Sequence, residues 1–153
     1  MKSFIADSML GSLARWLRFM GYDVEYFREG EDAELVRIAR QGGRTILTRD
    51  SGLIRRFRVS AVFIRSESLE EQCREFLQRV NVVPGDRRCM RCNRPLSTVK
   101  DPESVRDLVP EHVYHQRKSF QICPSCGSIY WKGSHYERML ERVRKVKEEP
   151  PEV

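Results

Sequence analysis

Leu10, Leu13, Ala14, Leu17 and Met20 recur at the three- and four-residue spacing of one helical face and run up to Gly21. That pattern predicts an amphipathic helix stopped by glycine. Ahead of it, residues 2–6 form a short apolar run ending at Asp7, which reads as a buried strand. The same pairing then repeats. Residues 24–27 read as a second strand, and residues 32–41 as a helix carrying Leu35, Val36, Ile38 and Ala39, closed by Gly42 and Gly43. Residues 44–48 give a third strand, residues 51–58 a short helix with Leu53, Ile54 and Phe57 inward, and residues 61–64 a fourth strand. Ser68 with Glu71 three positions on forms a capping-box pattern for a helix whose stripe is Leu69, Cys73, Phe76, Leu77 and Val80.

Strands separated by helices of these lengths call for right-handed crossovers, hence a parallel sheet covered on both faces. The expected fold class is therefore α/β, a parallel sheet sandwiched by helices over residues 1–83. Val82-Val83-Pro84-Gly85-Asp86 breaks the pattern, and residues 84–148 read as a small zinc ribbon with a C-terminal helix. In that part residues 120–122 and 129–131 are expected as strands. Residues 134–147 place Tyr136, Met139, Leu140 and Val143 on one helical face that docks on a neighbour. Residues 149–153 are left as a tail.

Composition changes this picture little. The chain has 153 residues, a hydrophobic fraction of 40% and a net charge of +6, the profile of a soluble globular protein with a mild leaning toward polyanions. No run is long and apolar enough for a bilayer, and an early Asp7 interrupts any signal-peptide pattern. A cytoplasmic protein without membrane attachment is expected, and there five cysteines favour metal over disulfides.

Cys89-Met90-Arg91-Cys92 and Cys123-Pro124-Ser125-Cys126 carry the clearest chemistry. Two residues between thiols let both sulfurs of one turn face a single point, so two such turns supply the closed tetrahedral thiolate set of structural zinc. Asn93 and Gly127, directly after each pair, tolerate the left-handed backbone such turns use. Two disulfides or one redox pair are the alternatives. Cys73, the fifth cysteine, is expected as an inert core thiol.

Acids at strand ends are the second candidate. In a parallel sheet these positions gather on one edge, and Asp7 follows the first strand, Asp50 the third, while Asp32 and Glu34 open the helix after the second. Two bare carboxylates about 4 Å apart repel by about 4 kcal/mol at an effective dielectric near 20. Protonation, arginine pairing or a hard cation such as magnesium or manganese would offset this. Each acid also has a simpler reading: Asp32 or Asp50 as a helix cap, Glu34 as a favourable charge at a helix start, Asp7 as a partner of Arg15 or Arg49. Arg15, Arg18 and Arg49 lie near the same edge and suit phosphate. His112, His115 and His135 find no activated nucleophile and are surplus to four thiolates.

Phe4-Ile5-Ala6-Asp7, the run from Leu10 to Arg18, Leu47-Thr48-Arg49-Asp50, both cysteine pairs, and the run from Tyr130 to His135 together resemble the Mut-seven C-terminal RNase family. This is a PIN-like nuclease domain carrying a zinc ribbon. The resemblance implies a PIN-like α/β/α sandwich, and RNA cleavage by a metal-activated water at an acidic cluster holding magnesium or manganese. It implies Asp7 and Asp50 as metal-binding acids, with Asp32, Glu34 or both as the middle acid. Ser51 and Gly52 stand where PIN domains often carry a further acid. The expected activity is that of a metal-dependent endoribonuclease with Arg15 and Arg49 placing the phosphate and Cys89, Cys92, Cys123 and Cys126 holding zinc. A non-catalytic RNA-binding or adaptor protein is the alternative. RNA is the expected partner, and the sequence leaves a regulatory protein partner open.

Overall fold

The computed structural model describes residues 2–148; the tail expected at 149–153 lies outside them. Strand β1 (Ser3–Ala6) leads through a 3-10 turn (Ser8–Leu10) into helix α1 (Gly11–Phe19). Then follow β2 (Asp23–Tyr26), α2 (Asp32–Gly42), β3 (Thr45–Thr48), α3 (Ser51–Phe57), β4 (Ala61–Phe63) and α4 (Leu69–Arg79). The four strands form one parallel sheet of order β2-β1-β3-β4. Because the chain leaves β1 in one direction and returns past it to β3, the strand order switches between β1 and β3. A crevice opens at such a point, beyond the strand ends.

The alternation of side chains along a strand sorts the core into two layers. Phe4, Ala6, Val24 and Leu47 face one side, with Leu13 and Leu17 of α1 and Phe76 of α4. Ile5 and Ile46 face the other, under Leu35, Val36 and Ala39 of α2 and Leu53 of α3. Gly43 ends α2 in the left-handed conformation, with φ of +64°.

The ribbon contains β5 (Ser97–Thr98), β6 (Gln121–Ile122) and β7 (Ile129–Tyr130) in an antiparallel sheet. Between β5 and β6 lie a 3-10 helix (Pro102–Leu108) and α5 (Glu111–Gln116), neither expected from the sequence. Both are too short to display a periodic stripe, and a local core of Val105, Val109, Val113 and Phe120 holds them. Asp101 caps the first of them by accepting the Glu103 N–H at 3.1 Å.

Helix α6 (Ser134–Glu148) turns back from the ribbon and packs on α4. Its Met139, Val143 and Val146 join the same core cluster as Phe4 and Phe76, as does Met90 from the first cysteine turn. Apolar packing thus runs continuously across residue 83. Arg142 pins the helix from outside, its guanidinium 4.4 Å from the Trp16 ring centre and paired with Glu70.

The segment that broke the sequence pattern is fastened to the α1–β2 turn. Gly85 N–H donates to Gly21 O at 3.0 Å, Arg88 N–H to Arg18 O at 2.9 Å, and the Tyr22 hydroxyl to Val82 O at 3.2 Å. Gly21 has φ of +99°, and a methyl there would stand 2.0 Å from Gly85 O. Gly43 also has positive φ, but nothing lies within 4 Å of an added methyl. Gly43→Ala should therefore cost about 1 kcal/mol in backbone strain alone. Gly21→Ala should cost more, ~1–3 kcal/mol beyond that, because it also displaces the linker. Urea midpoints at equal slope check the ranking, and equal losses would show that the Gly21–Gly85 approach carries no stability.

Candidate functional site

Asp7 sits where β1 ends, only 8% exposed. One carboxylate oxygen accepts the Met9 N–H at 3.0 Å; the other accepts the Thr48 hydroxyl at 2.5 Å and the Arg49 N–H at 3.2 Å. Three donors from two adjacent strand ends fix its orientation. Asp50 caps α3, accepting the N–H groups of Gly52 at 2.8 Å and Leu53 at 3.2 Å. Its own N–H donates to Thr48 Oγ at 2.9 Å. The Thr48 hydroxyl, fully buried, therefore links the two acids: it donates to one side chain and accepts from the other's backbone. Thr48 thus stands between the Asp7 carboxylate and the Asp50 backbone at the β1–β3 switch.

The middle acids stand differently. Asp32 is the first residue of α2, while Glu31 occupies the cap position with no side-chain cap bond. The reading of Asp32 as a cap is corrected accordingly: its carboxylate instead meets Arg56 of α3 at 2.5 Å, a pair that ties the two helices together. Glu34 is half exposed, 3.9 Å from Arg37. Its carboxylate lies over Gly30, where an added methyl would come within 2.9 Å of Oε2. Among the described residues no three carboxylates bring their oxygens within 4.8 Å of one another.

The arginines separate by role. Arg15 is exposed on α1 and forms no ion pair among the described residues. Arg49 donates to Arg65 O at 3.2 Å, while its buried Nε has no hydrogen-bond partner. Neither guanidinium forms an ion pair with Asp7, which meets Arg49 only through its backbone N–H. Arg18 is no phosphate ligand, being 5% exposed and donating to Val24 O at 2.8 Å and Met90 O at 2.9 Å. Burial pushes its pKa below the ordinary arginine value, while Glu25, Cys89 and Cys92 pull it back up. The heptad-like stripe contained this signal, because position 18 falls eight residues after Leu10 on the apolar face.

The four cysteines form the one group of metal-ligand type whose donor atoms gather within 4.8 Å among the described residues. Cys89 and Cys126 sulfurs are 3.6 Å apart and those of Cys92 and Cys123 3.2 Å. A tetrahedral zinc with bonds of 2.3 Å needs sulfurs about 3.8 Å apart, so the set suits such an ion. Each turn closes as expected: Asn93 N–H donates to Cys89 O at 2.8 Å with φ of +68°, and Gly127 N–H to Cys123 O at 2.9 Å with φ of +78°. None of the cysteines forms a disulfide. The Tyr130 hydroxyl accepts the Met90 N–H at 3.0 Å and lies 3.2 Å from Cys89 Sγ; burial first, then that sulfur, pushes its pKa up to about 12. His112, His115 and His135 are exposed and outside the sulfur cluster.

Asn93 was read only for its backbone, yet its side chain anchors the ribbon. Its oxygen accepts the Val24 N–H at 3.0 Å and its nitrogen donates to Asp23 at 2.7 Å. Asp23 also receives Arg44 at 2.8 Å. Burial would raise the Asp23 pKa, but Arg44 and Asn93 hold it below the usual carboxylate value.

Fold and site together define an α/β protein with strand-end carboxylates at a topological switch and a closed four-thiolate centre able to hold a metal such as zinc. The chain belongs to the Mut7-C RNAse domain family, whose model matches residues 2–143. Membership in that family marks it as a nuclease-type domain. No curated protein and no solved structure matches it. No helix among the described residues is long and apolar enough to cross a membrane.

Cys73 is fully buried, and burial raises its pKa to about 12, so it reports on the α/β core independently of the metal. Chelation should make four thiols reactive toward an aromatic disulfide reagent while Cys73 stays protected until denaturant is added. Reaction of all five cysteines on chelation alone would show that the sheet does not outlast the metal.

Proposed function

We propose that the protein is a metal-dependent endoribonuclease acting at the Asp7–Asp50 edge. The observation that carries this reading is the buried Thr48 hydroxyl, which donates to the Asp7 carboxylate and accepts the Asp50 backbone N–H at the switch point of a chain in a ribonuclease-domain family. The donor set fits a hard divalent cation in kind, since magnesium is commonly held by one or two carboxylates and keeps several waters. Asp7 and Asp50 would hold it, each through an oxygen lone pair not used by the bonds described above. When bound, magnesium or manganese supplies a water of lowered pKa and offsets charge on the phosphate.

The protein's own residues do the positioning. Backbone N–H groups and Thr48 set the two carboxylates before any ligand arrives, so little reorganisation is needed on binding. Arg49, whose backbone N–H already reaches Asp7, and Arg15 on α1 orient the scissile phosphate through their guanidinium donors. Glu34 completes the acidic set in preference to Asp32, because Asp32 is committed to Arg56 while Glu34 has only a long, exposed contact with Arg37. The ribbon with its zinc is structural, all four metal positions being filled by sulfur. Reduced thiols in the cytoplasm suit that site.

Asp7→Asn and Asp50→Asn should each lower manganese-supported cleavage of a single-stranded oligoribonucleotide by ~100-fold or more. Glu34→Gln should lower it more than Asp32→Asn. Circular dichroism and zinc content establish that each variant is folded. Cleavage unchanged in both aspartate variants would end the nuclease assignment, and RNA binding with no product from the wild-type protein would favour the adaptor reading.

A further inference from the structure

A cavity of about 760 Å³ lies between α1 and the ribbon. Five arginines line it: Arg15, Arg18, Arg28, Arg87 and Arg91. None of the five forms an ion pair among the described residues, although elsewhere along the same seam Arg44 and Arg88 both reach Asp23, at 2.8 Å and 3.9 Å. Arg87 is the most telling. Its guanidinium lies 4.7 Å from the Tyr130 ring centre and 5.2 Å from those of Phe19 and Tyr136, and its Nε is buried without a hydrogen-bond partner. A cation taken from water and left with no anion is costly unless an anionic ligand completes it. Burial lowers its pKa, as expected for a charge in that position.

Aromatic surface alternates with the charge, since Tyr26, Tyr130 and Trp131 also line the cavity. The end nearest the acids is marked by Tyr26, whose hydroxyl donates at 2.7 Å to the carbonyl of Ser8, the residue after Asp7. We propose that this cavity is the track for an unpaired RNA strand, its phosphates on Arg28, Arg87 and Arg91 and a base on Trp131, feeding the strand toward Asp7. Resting on the ribonuclease reading, the proposal adds a strand preference and a place for the substrate. Cations that follow a backbone, interleaved with rings that stack bases, are the means by which proteins hold single strands. A duplex keeps its base faces inside the stack and offers the rings nothing.

Fluorescence anisotropy with a labelled 12-nucleotide single-stranded RNA and a blunt duplex of equal length tests this, using zinc-loaded Asp50→Asn protein so that no cleavage intervenes. Arg28 and Arg91 are exposed, so Arg28→Gln and Arg91→Gln should leave the fold intact. Each should flatten the plot of log affinity against log salt by ~0.7. Trp131→Ala should weaken binding by roughly 5- to 150-fold with the slope unchanged. Should that variant lose its fold, quenching of Trp131 fluorescence by RNA in a Trp16→Phe protein gives the same information. Equal affinity for duplex and single strand, or slopes unchanged in both arginine variants, overturns the track. Tight single-strand binding by a wild-type protein that never cleaves would sink the nuclease reading and leave the track standing, while cleavage with unaltered slopes does the reverse.

Discussion

A guanidinium buried without a carboxylate holds the molecule together. Arg18 projects from α1 into the seam and donates to the carbonyls of Val24, Met90 and, at 3.4 Å, Arg91. One side chain thereby ties the first helix, the edge strand of the sheet and the first cysteine turn. Hydrogen bonds from a charged donor are the strong kind, and a buried guanidinium left unsatisfied would be severely penalised. The arrangement therefore forces the ribbon to dock in one register. Asn93 repeats the constraint from the other partner, reaching back to Val24 N–H and Asp23. The groove exists because these two anchors set α1 and the ribbon side by side.

The sheet imposes an equally strict condition on the acids. Parallel pairing places Ala6 opposite Leu47, so the residues that follow, Asp7 and Thr48, emerge together. Thr48 cannot continue outward, because its hydroxyl has a lone pair for the Asp50 N–H and a proton for Asp7. A valine of equal size would fill the space and supply neither. The geometry of two strand ends, more than any long-range attraction, brings carboxylates distant in sequence to one edge.

What could be read from the chain follows from the length of each signal. Helices α1, α2 and α4 span nine to eleven residues, enough turns for a stripe to show, and Gly21 and Gly43 mark where the first two end. The cysteine pairs were legible because thiolate geometry is local. The 3-10 helix and α5 were not, since neither is long enough for periodicity to distinguish a helix from a loop. Charged residues were the harder case. Arg18 and Arg15 look alike in a composition of 28 basic residues, yet one is an internal strut and the other faces solvent. Asp32 was weighed as a metal ligand or a cap, and a partner 24 positions away, Arg56, decides its contacts. Pairings of that range leave no trace in spacing.

The net charge of +6 gains meaning only from its distribution. Several acidic residues pair where elements meet: Asp23 with Arg44, Asp32 with Arg56 and Glu70 with Arg142. The arginines around the groove are left out of this pairing, so the excess positive charge is concentrated beside the acidic edge. A field of one sign in a concave, partly apolar site attracts polyanions more strongly than the same charge spread over a surface. Asp7, which precedes the Ser8 carbonyl that Tyr26 holds at one end of the groove, would repel an RNA strand on its own. On the proposed reading a divalent cation there would reverse the local sign, so groove and metal would act on the same strand: the arginines would gather it without metal, and the metal-loaded edge would let a phosphate approach Asp7.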